Sequence, residues 1–195
     1  MAGIARLRDV VQAMTRLAGA GLAETAFQEA SAILLRGLVA VDDWLPAACA
    51  VPGPGYRQYL LHCDPAERFS LVSFVWGPGQ RTPIHDHLVW GLVGQLRGAE
   101  ISTEYRLGPP GTPPQPGRRE RLRPGEVALV RPGDSDIHLV ENAQADAPSI
   151  SIHCYGGNIG AVRRHAFDPA TGAARAFISG YSAATVPNLW DRSAG

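Results

Sequence analysis

Residues 149–157 read SISIHCYGG. Strand periodicity divides this stretch into Ser151, His153 and Tyr155 on one face and Ile150, Ile152 and Cys154 on the other. Such a polar row belongs either in solvent or inside a barrel, where its members must bond one another or a ligand. In the second case the three side chains form a hydrogen-bonded chain that delivers the Tyr155 hydroxyl to a site. Similar short apolar segments precede it: YRQYLLHC (56–63), FSLVSFVWG (69–77), VWGLVGQLRG (89–98), EISTEYRL (100–107), GEVALVR (125–131) and DIHLVEN (136–142). Pro and Gly turns separate them, the pattern of an all-β sandwich or barrel. GPPGTPPQPG, 108–117, is too rich in Pro and Gly for either regular element and reads as an exposed loop.

Before Pro46 the period is helical. Ile4, Leu7, Val10, Val11, Met14 and Leu17 share one face of a helix over 4–19, which Gly19 and Gly21 end. A second helix is expected over about 22–41, with Phe27, Ile33, Leu34, Leu38 and Val41 as its apolar face. The expectation is one mainly β domain in three parts: a helical segment over 1–45 packed outside a β-barrel core over 46–165, then a C-terminal extension over 166–195.

Composition narrows the partners. The 195 residues carry zero formal net charge and are 45% apolar and 18% charged. That gives no electrostatic case for nucleic acid or an acidic membrane and favours a small-molecule partner. All 18 basic residues are arginine, so an arginine alone says little about function. No apolar run approaches a membrane span, and Arg6, Arg8 and Asp9 interrupt the N-terminal one, so a cytoplasmic protein without a signal peptide is expected. Three cysteines, Cys49, Cys63 and Cys154, form no CxxC and are expected reduced and mostly buried.

The stretch PIHDHLVWG, 83–91, carries the metal signal. Read as a strand over 84–93, it puts His85, His87 and Gly91 on one face and Asp86 and Trp90 on the other. Two imidazoles so placed can converge on iron, zinc, copper or nickel. His138, in RPGDSDIHLVEN, is the candidate third ligand. An isolated His-x-His is more often a packing feature, and a lone strand glycine often marks a bulge. The spaced glycines and the later His138 turn the reading toward a metal, while His62 and His165 fall outside the group. The order Gly79, His85, His87, Gly98, then Gly125, Pro132, Gly133, His138, Asn142 resembles the paired motifs of the cupin superfamily, whose fold is a jelly-roll β-barrel. A glutamate ligand common in that pattern is replaced here by Gly91, which is expected to leave space at the site.

With Ser151-x-His153-x-Tyr155, these motifs resemble the cysteine dioxygenase family of thiol dioxygenases, over about Tyr56 to Arg164. The resemblance implies Fe(2+) on His85, His87 and His138, a Ser151–His153–Tyr155 relay, and addition of both atoms of O2 to the sulfur of a small thiol carboxylate to give a sulfinate. Two departures from the animal enzymes look like the bacterial 3-mercaptopropionate branch. Trp90-Gly91-Leu92 offers no cysteine to crosslink Tyr155, and YRQ puts Gln58 where the animal enzymes bind substrate with arginine. In that branch the carboxylate partner is an arginine after the relay, matched by Arg164 in GGNIGAVRRH, with neighbouring Arg163 as the second choice. Arg57 is a candidate for the second carboxylate of mercaptosuccinate, and cysteine is the third possible substrate. The rival readings are a zinc or nickel hydrolase or isomerase and a non-catalytic cupin sensor. The sequence carries no signal for oligomeric state.

Overall fold

The computed structural model of the protein describes residues 3–133 and 136–191. Two helices come first, α1 (Gly3–Gly19) and α2 (Glu24–Val39). Eleven strands follow: β1 (Arg57–Cys63), β2 (Ser70–Trp76), β3 (Ile84–His85), β4 (Gly91–Arg97), β5 (Glu100–Arg106), β6 (Gln115–Leu122), β7 (Val127–Val130), β8 (His138–Asn142), β9 (Ser149–Tyr155), β10 (Arg164–Phe167) and β11 (Ala174–Phe177). They form two antiparallel sheets, ordered β1-β2-β9-β4-β7 and β11-β10-β3-β8-β5-β6. The result is a mainly β fold of two antiparallel sheets, with two N-terminal helices outside.

The first sheet is buried on both faces, and that decides where its polar residues go. Ile150, Ile152 and Cys154 of β9 join Leu71, Val75, Leu92 and Leu96 in a core shared with Leu7, Val11, Met14, Phe27, Leu35 and Leu38 of the helices. The opposite face meets the second sheet, where Val72, Phe74, Trp76, Val140, Tyr155 and Ile159 pack together. All seven residues of β2 and of β9 are therefore buried. The alternation in SISIHCY thus sorts an apolar face toward the helices from a polar face toward the barrel interior. α2 lies close on β4: a Cβ at Gly94 would come within 2.9 Å of Val39 Cγ1 and 3.0 Å of Leu35 Cγ.

Four local expectations need correction. The inward row of α2 is Phe27, Ser31, Leu35 and Val39 with Leu38, spaced by about one turn, whereas Ile33 and Val41 face outward. No strand runs over 84–93. β3 ends at His85, and Leu88 adopts a left-handed φ of 61° before β4 begins at Gly91. The expected loop over 108–117 gives way at Gln115 to β6, whose residues are almost all exposed. The second sheet continues to Phe177, beyond residue 165, because β10 pairs with both β3 and β11. Asp134 and Ser135, from the turn before His138, lie outside the described residues.

If the α2 face anchors the first sheet, Leu35→Ala should cost roughly 2–5 kcal/mol in chemical denaturation. The exposed Ile33→Ala should be nearly neutral.

Candidate metal centre

Three imidazoles meet in the barrel interior. His85 and His138 are direct cross-strand partners on β3 and β8, so their side chains start side by side on the inner face. His87 comes from the turn after β3. Ring centroids are separated by 4.7 Å (His85–His87), 4.9 Å (His85–His138) and 4.8 Å (His87–His138). One ligand atom from each can be chosen so that all lie within 4.8 Å of one another, and all three residues are buried.

The outer nitrogens explain which atoms converge. His85 Nδ1 lies 3.0 Å from the Pro83 carbonyl, which can only accept, so this nitrogen carries the proton. His87 Nδ1 lies 3.0 Å from Asp136 Oδ1. Burial alone would raise the Asp136 carboxyl, but hydrogen bonds from the His87 ring and the Leu88 amide hold it below the usual range. Asp136 is therefore a carboxylate and His87 Nδ1 is the donor. His138 Nδ1 pairs with Ser102 Oγ at 3.0 Å. With every Nδ1 engaged, the three Nε2 atoms are left to face one another. Burial, together with the neighbouring His87, also drives the titration of His85 and His138 well below the ordinary histidine value. Pre-oriented imidazoles fit a divalent transition metal, and their Nδ1 partners are the kind of support such ligands use.

Asp136 does more than orient one ring. Its carboxylate accepts from the backbone amides of His87 at 3.0 and 3.1 Å and of Leu88 at 3.1 Å, clamping the turn that carries the left-handed Leu88. It escaped sequence reading, although an acid two residues before His138 is a usable signal. Ser102 was also missed, because its hydroxyl in an ordinary strand gives none. Asp86 stays off the centre, accepting from the His165 backbone amide at 2.7 Å and pairing with His165 Nδ1 at 2.8 Å.

Beside the imidazoles stand the side chains of the polar row. Ser151 Oγ lies 2.8 Å from His153 Nε2, and His153 Nδ1 lies 2.8 Å from the Tyr155 hydroxyl. The Tyr155 ring stacks on His87 with centroids 5.7 Å apart. Burial, with His87 and Arg164 nearby, keeps His153 neutral, while burial pushes the Tyr155 phenol well above its ordinary pKa. Gly91 proves to serve Tyr155: a Cβ there would sit 3.0 Å from Cδ1 and Cε1 of that ring. The space it makes is filled by the phenol.

Arg164 is the one cationic side chain among the described residues lining this cavity, a void of about 380 Å³. Its neighbour in register, Ala166, pairs with His85, so Arg164 two residues earlier shares the inward face. It is 4% exposed, donates to Ser179 Oγ at 2.8 Å, and lies over the Phe177 ring at 4.9 Å. Its Nε has no hydrogen-bond partner. No acidic side chain lines the cavity among the described residues. Gln58 also lines it, but its amide is committed to the Gly180 carbonyl, and its backbone N–H donates to Ser182 Oγ at 2.9 Å. Arg163 is exposed, and Arg57 folds over Gly53; neither lines the cavity. Tyr56, Phe74 and Trp76 form a stacked aromatic wall, with Tyr56–Trp76 centroids 5.0 Å apart.

No family model matches the sequence. Among solved structures, part of the barrel is similar to a double-stranded β-helix protein from Klebsiella pneumoniae, with 16% identity over 70% of this chain and 97% of that one at a TM-score of 0.43. A cupin 2 domain protein from Halorhodospira halophila is 19% identical over 60% of this chain and 74% of that one, TM-score 0.43. A structure described as a DMSP lyase is 18% identical over 52% of this chain, TM-score 0.38, and the match spans about half, 47%, of that chain. No helix among the described residues is long and apolar enough to cross a membrane.

Removing the carboxylate that orients His87 should weaken metal binding without removing a ligand. Asp136→Ala is expected to lower metal affinity by roughly 10–100-fold, measured by competition with a chelator. An unchanged affinity would show that the turn holds His87 unaided.

Proposed function

We propose that the protein is an Fe(II)-dependent thiol dioxygenase that converts a small thiol carboxylate, 3-mercaptopropionate, to its sulfinate. The observation that carries this reading is a buried arginine, with no carboxylate partner among the described residues, in the same cavity as three converging imidazoles and a Ser–His–Tyr chain. Keeping a cation buried is costly without an anion. A substrate carboxylate supplies it, and Arg164 Nε offers an uncommitted donor for a charge-assisted contact.

The reaction is thiol plus O2 giving sulfinate plus one proton. Sulfur loses four electrons, dioxygen gains four, and both oxygen atoms end on sulfur, so no other reductant is required. Fe(II) held by His85, His87 and His138 supplies the Lewis acidity that ionises the thiol and the redox chemistry that activates dioxygen. The chain's own residues do the rest. Arg164 fixes the carboxylate end in the same cavity as the imidazoles. The wall of Tyr56, Phe74 and Trp76 keeps water away from the sulfur. Tyr155, whose phenol stays protonated, presents a hydroxyl that His153 and Ser151 can orient as donor or acceptor.

The cavity lining also favours one thiol of the three. Cysteine brings an ammonium group, and no acidic side chain among the described residues lines the cavity to receive it. Mercaptosuccinate brings a second carboxylate, and Arg57, the residue that might have met it, points elsewhere.

Oxygen consumption by the iron-loaded protein tests this directly. The expected result is one O2 per thiol, with the highest kcat/KM for 3-mercaptopropionate over cysteine and mercaptosuccinate; a purified zinc protein with no thiol-dependent uptake after iron loading would contradict it. Arg164→Gln should raise KM by roughly ten- to a hundredfold, the value of one charged hydrogen bond. Tyr155→Phe should slow turnover while retaining iron by elemental analysis, and wild-type rates in that variant would remove the hydroxyl from the chemistry.

A further inference from the structure

The Ser151–His153–Tyr155 chain does not stop at Ser151. Beyond it, at the start of β5, Glu100 is buried with 2% exposure inside the barrel. Its Oε1 accepts from Ser149 Oγ at 3.2 Å and from Gln95 Nε2 at 3.3 Å. Oε2 has no hydrogen-bond partner, and neither does the Oε1 of the adjacent Gln95. Two buried oxygens without donors are costly unless one of them carries a proton, as a neutral carboxylic acid would. Gln95 and Ser151 are cross-strand partners on β4 and β9, which brings Ser151 to the same place.

Glu100 also reaches a second cavity, about 650 Å³, on the other side of His138. This cavity lies between the edge strands β6 and β7, where Arg118 and Glu120 of β6 are themselves substantially exposed. Glu100 therefore stands between solvent at that mouth and the inner end of the relay.

We propose that Glu100 is the outer terminus of the Ser151–His153–Tyr155 chain, a positioning residue that exchanges protons with solvent through the second cavity and sets the direction of every hydrogen bond inward of it. A neutral imidazole donates from one nitrogen and accepts at the other, so the chain has two orientations. With Glu100 protonated, the acid donates to Ser151, Ser151 donates to His153 Nε2, and His153 Nδ1–H donates to the Tyr155 oxygen. Tyr155 then offers its O–H to the cavity. With Glu100 ionised, Ser151 donates to the carboxylate, His153 Nε2–H donates to Ser151, and Tyr155 donates to His153 Nδ1. The Tyr155 oxygen then faces the cavity as an acceptor. Passing from the second arrangement to the first carries one proton from the cavity side to Glu100's side or back, with no charged imidazole left behind. The thiol proton thereby has an exit that avoids the substrate cavity.

The environment is consistent with a carboxyl that titrates in the working range. Burial pushes it up to about 7, against the opposing pull of the neighbouring Ser151, Gln95 and Ser149 side chains. The charged or titratable groups facing this region are Glu104 on its own strand, Arg118 and Glu120 of β6, His138 of β8 and His153 of β9.

Infrared difference spectroscopy of the metal-free protein should show a protonated carboxyl band that disappears with a midpoint near 7. The band should be absent in Glu100→Gln, and its midpoint should move up in Ser151→Ala, which loses the hydroxyl proposed to meet the carboxyl. A carboxyl ionised throughout, or a midpoint unmoved by Ser151→Ala, would overturn the proposal. A rate arm rests on the thiol-oxidation reading: kcat should rise through the same pH, and Glu100→Gln should lose that rise with a loss of about tenfold or more above it. Glu100→Asp should restore the inflection, and an inflection unchanged in Glu100→Gln would overturn the proposal. If no thiol is oxidised by the wild type, the functional reading falls while the infrared titrations still decide the role of Glu100.

Discussion

The site depends on where three imidazole protons sit. Pro83, Asp136 and Ser102 each hold one Nδ1, so the three Nε2 lone pairs can share one interior point without any metal to gather them. The three rings lie within 5 Å of one another by centroid, and burial drives the titration of His85 and His138 well below the ordinary histidine value. The arrangement also explains the placement of Asp136, which ties the Nδ1 of one ring and the backbone of its turn together. A metal ion arriving here finds its ligands oriented and deprotonated, so little reorganisation is needed on binding.

Around that constraint the barrel separates two kinds of burial. The helices cover the outer face of the first sheet with aliphatic side chains, so its inner face is free to be polar without leaving the sheet short of apolar contact. β9 shows the division most clearly, with Ile150, Ile152 and Cys154 outward and Ser151, His153 and Tyr155 inward. The inner row is satisfied by its own members, as a buried polar chain must be. Arg164 is less fully satisfied: its Nε lacks a partner. A buried cation so left costs stability, and the natural compensation is a bound anion.

Much of this was legible in the residues because periodicity survives burial. Strand alternation in SISIHCY, helical spacing over 4–19, and the pairing of His85 and His87 with His138 all mark real features of the fold or the cluster. Local strand reading failed at His87 and Gly91. Leu88 turns the chain with a positive φ, so His87 reaches the cluster from a turn, and Gly91 opens β4 in the other sheet against the Tyr155 ring. β6 was hidden because QPGRRERL has no apolar face; it is exposed almost throughout and is held by pairing with β5. Ile33 faces outward because an apolar residue on a short helix is not bound to face inward, and Leu35 takes the contact instead, while Val41 lies beyond the end of α2. Asp136, Ser102 and Glu100 act through long-range contacts that no window of sequence contains.

The account rests on imidazole-only ligation with room left for substrate at the metal. X-ray absorption at the iron edge, taken on the Fe(II)-loaded protein before and after adding 3-mercaptopropionate, tests it most directly. Three histidine nitrogens with no carboxylate oxygen from the protein, joined by a new iron–sulfur contact when the thiol is added, is the expected result. A spectrum with fewer imidazoles, a protein carboxylate among the ligands, or no sulfur at the metal would contradict it.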